Sequence, residues 1–598
     1  MGKSSDSSRK APHPFLGRVF RPLALVALLS VVIGCGKTAD QRFIQVKESF
    51  LDQWFHWQAE KATWVGVDQY DQLLPDIAPQ AMQGARQLYH TTLDQMADID
   101  PAELSYQHQV DLRVFRGALH YLLFQQDTLR VYALDPNIYL KRLIEAVTAL
   151  AMQRPDSSVN RLAHLEARLR GIPSWLNQAY QNLEPGPVVA IEAAARHARQ
   201  LATFLGDGRL YAYLDSVNTS TRQNLDKAMQ TAAGGLNNFA DRLETELLPR
   251  SDRSFRLGED LFRQKLRYLV PPEWTAAAIQ SRAQASLSEL QDQMYAIADT
   301  LAYRWWSVRY ARPDRATRLR VIRRVFDRIQ SDAPDAGERR NYMVSQLGPL
   351  REFVNQHKVV AAQATWPVQV QINPLGSPAA AFASLQTTGP LVSSYRTNLN
   401  LTPLPGSWTT PQVREYLQEY NRQAEQLVLI HQQYPGIATL YYYAKRYPSL
   451  IRSLFPDQAF VRGWGYYSER MLVDDGWGQD DPRVRLNQLR REAQVAVGAL
   501  LDQRVHTQNL SRADAITMMT QQAFYTMPAA SEEWQSIQLD PGRGTTAFVG
   551  KEEIWDLRVK YTRKAGSNFS LLDFHNRLLS YGAIPIPYLR EILLENRL

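Results

Sequence analysis

The segment His-Gln-Gln-Tyr-Pro-Gly-Ile at residues 431–437 combines one imidazole, two amides and a Pro-Gly turn. Other side chains that could bind a metal or move a proton follow at Glu469, His506 and His575. Because zinc sites use neutral imidazoles and carboxylates, a three-ligand site from His431, Glu469 and one of the two later histidines is conceivable. However, no two of the 11 histidines lie four residues apart, so the chain has no H-E-x-x-H motif.

Three segments of the chain together resemble a known family. They are residues 431–437, the run Arg-Gly-Trp-Gly-Tyr-Tyr-Ser-Glu at 462–469, and Phe-His-Asn at 574–576. They resemble the domain of unknown function 885 family, in which the first two motifs read H-E-x-x-P-G-H and E-G-W-A-x-Y-x-E. Many members are bacterial lipoproteins, and the family is grouped with the helical gluzincin-type zinc metallopeptidases. The resemblance covers nearly the whole chain after residue 34.

The resemblance implies that this chain keeps the frame of a zinc site and changes its chemistry. His431 matches the first histidine of the family motif. Gln432 replaces the glutamate, and its amide cannot accept a proton near neutral pH. Ile437 replaces the second histidine and offers no lone pair, while Arg462 replaces the first glutamate of the second motif. The fixed positive charge of a guanidinium there would repel a metal ion.

Five further positions follow the family pattern or depart from it. Glu469 matches the last glutamate of the second motif. Asp502 and His506 match a D-x-G-x-H-T pattern, and His575 matches a final F-H pair. Phe548 stands where members usually show a tyrosine, so a hydroxyl that could stabilise a developing oxyanion is missing. Each of these side chains could also be a structural remnant.

The positive charge of Arg462 leads to a specific expectation about the site. The carboxylates that face a cation in family members would be buried and uncompensated without it, which is unfavourable. We therefore expect a salt bridge from Arg462 to Glu469 or Asp502, beside His431. No metal and no cofactor are expected, and zinc enters only if the protein is an active enzyme with rearranged ligands.

Residues 1–34 have the features of a bacterial lipoprotein signal peptide. Five lysines and arginines precede an apolar run from Leu23 to Gly34, which is shorter than the roughly 20 residues needed to span a bilayer. The run ends in Val-Ile-Gly before Cys35 and resembles a lipobox, whose cysteine is acylated with chains such as palmitate. We predict that Cys35 anchors the protein in a membrane. Gly36 rather than aspartate follows it, which favours the outer membrane, facing the periplasm.

Composition excludes several classes of protein. The formal net charge is +8, and removal of five basic residues and one acidic residue with the leader lowers it to +4. Such a modest charge argues against a nucleic-acid-binding protein. Cys35 is the only cysteine, so no disulfide can form. Hydrophobic residues make up 45% of the chain, which allows a large core, and no other apolar run approaches membrane-spanning length.

The hydrophobic periodicity predicts a mainly α fold, a large α-helical domain with a small antiparallel sheet inserted before the motif helix. The family resemblance implies that this domain is metallopeptidase-like. Alternation of Val368, Val370 and Ile372 with polar residues predicts a half-buried strand, and residues 391–401 could form one or two more. Pro173 predicts a kink or boundary in its helix. Helical patterns cover residues 43–64, 138–152, 159–177, 188–204, 217–248, 257–270, 273–303 and 411–430.

The predicted organisation is one large domain behind a short tether. After the leader, residues 35–41 form the lipidated N-terminus and tether, and residues 42–598 form a single domain. Within it we distinguish a helical half, a small β region and a motif-bearing helical half. These three parts cover residues 42–364, 365–410 and 411–598.

A basic run between Arg309 and Arg328 holds eight arginines with an apolar stripe at helical spacing. Two interpretations remain open. The arginines could form the solvated face of a packed helix, or they could contact an anionic membrane or cell-wall polymer.

Three functional hypotheses fit these observations. The first is a lipid-anchored pseudo-peptidase of the cell envelope, with an inactive site and a cleft that could bind a peptide or protein. The second is an active metal-dependent peptidase or hydrolase with rearranged ligands. The third is an envelope scaffold whose surface binds partner proteins. The sequence favours the first, and so leans against an enzyme.

Overall fold

Helices account for most of the chain described by the computed structural model, which covers residues 37–152, 158–214, 217–361, 365–376, 382–446 and 449–595. The chain divides into two compact units, Met1–Thr38 and Ala39–Leu598, and every described helix and strand belongs to the second. Cys35 and the predicted leader lie outside the described residues. Within them, no helix is both long enough and apolar enough to cross a membrane.

Thirteen helices precede the sheet in the described part of the chain. They are α1 Ala39–Trp57, α2 Ala59–Val65, α3 Pro79–Ala97, α4 Tyr106–Leu123, α5 Val131–Leu134, α6 Asn137–Met152, α7 Ser158–Gln181, α8 Val188–Gly206, α9 Thr219–Arg242, α10 Gly258–Leu269, α11 Ala276–Trp306, α12 Arg315–Gln330 and α13 Arg339–Gln356. Their apolar spacing explains the helical state: in α1, Phe43, Phe50 and Trp54 fall on one buried face. Pro173 does not end its helix, because α7 continues to Gln181.

The remaining elements are three strands and eleven helices. They are β1 Val368–Ile372, β2 Ala383–Thr387, β3 Thr397–Leu401, α14 Thr410–Glu419, α15 Arg422–Gln432, α16 Ile437–Arg446, α17 Leu450–Leu454, α18 Gln458–Asp474, α19 Pro482–Thr507, α20 Arg512–Gln522, α21 Met527–Leu539, α22 Arg543–Ala565, α23 Leu571–Leu579 and α24 Ile586–Glu595. The helix predicted over 411–430 is two helices, since the Asn421 side chain accepts the Ala424 N–H and starts α15 anew.

The prediction of a mainly α fold with a small sheet is confirmed, but the expected antiparallel pairing is wrong. The strand order is β1-β3-β2, with β1 parallel and β2 antiparallel to β3. The segment 373–396, which includes β2, is longer than the roughly dozen residues that a parallel crossover needs. Strand β3 takes the centre because it is buried throughout. Its polar Asn400 accepts at Oδ1 from the Tyr213 hydroxyl at 3.1 Å and from Asn373 Nδ2 at 2.8 Å.

The sheet positions the segment between α15 and α16. The Thr397 hydroxyl of β3 donates to Gln433 Oε1 at 2.9 Å. The Tyr395 hydroxyl donates to the Ala438 carbonyl oxygen at 2.6 Å. These bonds fix both sides of the turn that contains the Pro-Gly pair.

Three buried hydrophobic clusters stabilise the body. One joins the N-terminal helices, the sheet and α15–α18, a second joins α10–α12 to α19–α22, and a third lies within α6–α9. Helix α18 packs along α22, and α19 packs against both α11 and α22. Helices α18, α19 and α22 therefore form the central group that carries most of the candidate site residues.

Candidate functional site

His431 lies in the last turn of α15, and the chain around it is tightly constrained. A side chain at Gly436 would overlap the His431 carbonyl oxygen, and one at Gly465 of α18 would collide with the imidazole ring. Trp464 Nε1 donates to the carbonyl oxygens of Pro435 and Gly436 at 3.0 and 3.1 Å. The two glycines and the tryptophan therefore bring the end of α15 against α18.

The charge at the centre of the site is carried by His431, Glu469 and Arg491. His431 Nδ1 lies 2.7 Å from Glu469 Oε1. Arg491 of α19 donates to both carboxylate oxygens of Glu469, from Nε at 2.6 Å and from Nη2 at 2.7 Å. Such a two-pronged pair is a strong, directional ion pair. Glu469 thus serves as the acceptor for an arginine and an imidazole together.

The protonation states follow from burial and these partners. Burial alone would raise the pKa of Glu469, but Arg491 and the hydrogen bonds outweigh it and hold that pKa below its usual value. Burial lowers the pKa of His431, and the nearby charges of Arg491 and Arg543 act in the same direction, against the attraction of Glu469. The imidazole is therefore neutral near pH 7, with its Nδ1–H donated to Glu469.

Two further ion pairs adjoin this centre, and solvent exposure falls toward it. Arg543 pairs with Glu533 at 3.2 Å, and Arg462 pairs with Asp540 at 2.9 Å. The exposed side-chain fraction is 36% for Asp540, 29% for Arg543, 14% for Arg491 and 2% for Glu469. The term central ion cluster is used below for eight side chains: Glu469, Arg491, Arg543, Glu533, Arg462, Asp540, His431 and Tyr466. Its partly exposed members border solvent, while Glu469 lies at its buried end.

Tyr466 is the aromatic member of the central ion cluster. Its ring meets His431 edge-on, with centroids 4.6 Å apart and an interplanar angle of 80°. The side chain is partly exposed, yet burial raises the pKa of its hydroxyl. The ring therefore lies at the boundary between the buried imidazole and solvent.

Arg462 forms the expected kind of bond with an unexpected partner. The predicted salt bridge to Glu469 or Asp502 is wrong: its Nη2 pairs with Asp540, and its Nη1 donates to the Thr546 hydroxyl at 3.2 Å. Glu469 lies two helical turns further along α18, roughly 10 Å away along the axis. Burial would raise the pKa of Asp540, but Arg462 and then Lys265 hold it at about 2.

Asp502 lies apart from the imidazole and has a structural contact set. Its carboxylate accepts the backbone N–H of Gly542 at 3.2 Å and of Thr545 at 2.7 Å. It therefore satisfies free donors at the start of α22, as an N-cap does. Burial nevertheless raises its pKa to about 6, against these hydrogen bonds.

His506 and His575 do not join His431. His506 is buried, its Nε2 donates to the Ile537 carbonyl oxygen at 3.0 Å, and its ring stacks on Phe262. His575 Nδ1 donates to the Val359 carbonyl oxygen at 2.8 Å, so its Nε2 accepts from the Tyr467 hydroxyl at 2.7 Å. Burial lowers the pKa to about 4 for His506 and about 3 for His575.

Apart from Arg462, three other substituted positions of the resembled family pattern lie outside the ion pairs. Phe548 is fully buried and meets Trp274 edge-on at 6.2 Å. Ile437 begins α16 and packs, partly buried, on the core. Gln432 is half-buried at the end of α15, while its neighbour Gln433 is the amide that binds the sheet. Only His431, Arg462 and Glu469 of the candidate residues reach the central ion cluster.

The residues present do not fit a zinc ion. His431 Nδ1 and both oxygens of Glu469 are already engaged, and Arg491 brings a positive charge into direct contact with the carboxylate. Across the described ranges, no group of three or more His, Cys, Asp or Glu side chains is arranged to hold a metal. Zinc would need those ligands free and deprotonated.

Sequence reasoning missed Arg491, Arg543 and Asp540. One signal was available for Arg491: it sits in α19 among positions that are otherwise buried for most of the helix. A long arginine in such a helix needs a buried carboxylate partner. Arg543 and Asp540 flank the start of α22 and carry no comparable pattern.

Comparisons with known proteins extend over nearly the whole chain. The model of the family described as bacterial protein of unknown function, DUF885, matches residues 60–593. No curated protein matches the chain significantly.

Two solved structures have a similar fold. One is a candidate lipoprotein of unknown function from Shewanella oneidensis, at 24% identity and a TM-score of 0.70, covering 92% of this chain and 99% of its own. The other is a candidate lipoprotein from Colwellia psychrerythraea, at 16% identity and a TM-score of 0.75, covering 94% of this chain and 99% of its own. At these identities the likeness establishes the fold alone.

Proposed function

Because this chain belongs to the DUF885 family of bacterial proteins of unknown function, we propose that it is a lipid-anchored envelope protein with a metallopeptidase-like fold and an inactive site. In this proposal the central ion cluster takes the place of a zinc centre. The protein binds a peptide or an extended protein segment and does not hydrolyse it.

One observation carries the proposal: the two-pronged pairing of Arg491 with Glu469 beside His431. Metal-assisted hydrolysis needs a bound cation that activates water and a base that takes its proton. Here the cation next to the carboxylate is a guanidinium, which cannot be deprotonated in proteins and cannot act as a Lewis acid. Gln432 stands where the resemblance places the base, and an amide cannot fill that role.

The partly exposed side of the central ion cluster offers chemistry suited to a peptide. Arg543, Arg462 and Asp540 are about one-third exposed, so they can bond to backbone carbonyl oxygens, N–H groups or chain termini. Tyr466 adds an aromatic face for a side chain.

Membrane attachment through Cys35 is the second part of the proposal. The lipobox-like sequence before Cys35 supports it, and both similar structures belong to proteins described as candidate lipoproteins. Gly36 favours the outer membrane, with the folded unit in the periplasm.

Peptide capture provides the test. The purified protein is incubated with a pool of fluorescent random octapeptides, and bound and free peptides are identified by mass spectrometry. Peptides are expected to bind without the appearance of new peptide termini. Tyr466→Leu is expected to weaken peptide binding because the aromatic ring is lost. Tyr180→Leu, a half-buried tyrosine of α7 bonded to Glu246, is the matched control.

Two results would contradict the proposal. Fragments that disappear on addition of a chelator would identify an active metallopeptidase. If the folded wild-type protein captured no peptide, the hypothesis of a peptide-binding cleft would be refuted, and the hypothesis of an envelope scaffold would be favoured.

A further inference from the structure

Arginine and aromatic side chains alternate on one surface formed by the end of α11, the following loop and α12. The Arg309 guanidinium lies 4.3 Å from the ring centroid of Tyr303, Arg324 lies 4.2 Å from Trp306, and Arg328 lies 5.1 Å from Trp305. The two indoles contact each other edge-on at 5.6 Å. These six residues, together with the exposed Tyr310 next to Arg309, are named the basic-aromatic patch.

The arginines of the patch are not neutralised by the protein. Among the described residues, no carboxylate lies within salt-bridge distance of Arg309, Arg324 or Arg328. The two nearby aspartates are used elsewhere: Asp314 accepts the Thr317 N–H and caps α12, and Asp327 faces Arg323. The patch therefore presents positive charge to solvent.

The charge is concentrated in this stretch. Residues 303–328 contain nine arginines and two aspartates, a net charge of +7. The chain without its predicted leader has a net charge of +4, so everything outside the stretch sums to −3. A stretch with this excess of positive charge attracts anionic partners.

A free amphipathic helix does not explain the pattern. The apolar side chains of α12, which include Val321, Ile322 and Phe326, are buried in the core. What remains outside is the polar face of the helix with the aromatic rings of α11 and the loop. Tyr303 and Tyr310 are among the most exposed large apolar side chains, at 51% and 46%.

We propose that the basic-aromatic patch binds the anionic headgroup surface of a phospholipid bilayer. Guanidinium groups form two-pronged bonds with phosphate, and Trp and Tyr side chains favour the bilayer–water interface. A soluble polyanion would use the arginines but gain little from exposed phenol rings. The contact lies at the headgroups, since no apolar face is available for deeper insertion. This inference depends neither on the cleft nor on Cys35.

Vesicle sedimentation tests the proposal on residues 37–598. The described compact unit begins at Ala39 and contains all three core clusters, so this chain folds without the leader and carries no lipid. Binding is measured to phosphatidylcholine vesicles with increasing fractions of phosphatidylglycerol. We expect binding that rises with phosphatidylglycerol and falls with salt.

Variants assign the binding to the patch. Arg309→Gln/Arg324→Gln/Arg328→Gln is expected to lower the partition coefficient roughly 100-fold, from about five-fold per basic side chain. Tyr303→Ser/Tyr310→Ser, which leaves the charge unchanged, is expected to lower it several-fold. The control has the same net charge as the triple arginine variant. It removes three exposed arginines outside the patch, at Arg116, Arg222 and Arg267. Circular dichroism confirms that each variant is folded.

Three outcomes would overturn the proposal. The first is no binding of the wild-type protein to any vesicle. The second is an equal loss in the control variant, which would mean that net charge alone drives the contact. The third is full binding of the tyrosine variant together with equally tight binding to polyphosphate, which would identify a polyanion site instead.

Discussion

Replacement of Arg491 by methionine tests whether the Arg491–Glu469 ion pair stabilises the folded protein. Glu469 is 2% exposed and Arg491 is 14% exposed, so the change would leave a carboxylate buried without its counter-charge. Breaking a buried pair in this way costs about 3–5 kcal/mol. That is a large part of the roughly 5–15 kcal/mol by which folded proteins are stable.

The free energy of unfolding, from urea denaturation followed by tryptophan fluorescence, measures this cost. Glu469→Gln/Arg491→Met is expected to recover at least half of the loss, because the uncompensated charge is gone. Without Arg491, the pKa of Glu469 would rise above its unfolded value. Stability is then greatest below the unfolded pKa and falls as pH rises, so the deficit shrinks between pH 7 and about pH 5.

A surface pair on the same helix is the matched control. Arg485 of α19 bonds to Asp474 at 2.7 Å with both side chains 31% exposed, and Arg485→Met is expected to cost at most about 1 kcal/mol. A loss below about 1 kcal/mol for Arg491→Met, or no recovery in the double variant, would refute the view that the pair is buried and essential.

Three further outcomes are expected. Replacement of Cys35 by serine releases the protein from membranes or leaves it unprocessed, measured by fractionation; unchanged membrane association would contradict lipidation. Burial holds the pKa of His506 at about 4 and that of His575 at about 3, so both are neutral in the folded protein. Because the unfolded chain binds protons that the native state cannot, the free energy of unfolding decreases as the pH falls from 6.5 toward these pKa values. In urea titrations at several pH values, His506→Gln should flatten this decrease. Arg462→Met should cost only about 1 kcal/mol because Arg462 and Asp540 are partly solvated; a loss above about 3 kcal/mol would indicate a buried pair.

Helical periodicity predicts most of the fold because it reports which face of a segment is buried. The apolar spacing in residues 138–152 and 188–204 matches α6 and α8 to within two residues. Strand β2 lies outside the segments predicted as strands. Its sequence Ala-Ser-Leu-Gln-Thr is a short and weak apolar–polar alternation, and every position of Ala383–Thr387 is half-buried. Strand direction could not be predicted for a different reason: it depends on long-range pairing, which a local apolar pattern does not report.

The family resemblance predicted which segments meet at the site, but not which side chains pair there. It implied that segments 431–437 and 462–469 lie together, and the structure brings α15 against α18 there. The partner of Arg462 could not be predicted, since Asp540 is 78 residues away. Asp502 and His506 lie one helical turn apart on α19. Their proximity in the sequence gave no indication that Asp502 accepts hydrogen bonds from the start of α22 or that His506 packs in the core.

Zinc content of the purified protein tests most directly whether an ion cluster has replaced the metal. Elemental analysis is made on protein purified without chelators, and thermal unfolding is followed with and without added zinc. We predict far less than one zinc per chain and no upward shift of the midpoint. About one zinc per chain that survives dialysis, with the stabilisation of about 2.7 kcal/mol expected at 100 times the dissociation constant, would contradict the proposed inactive site.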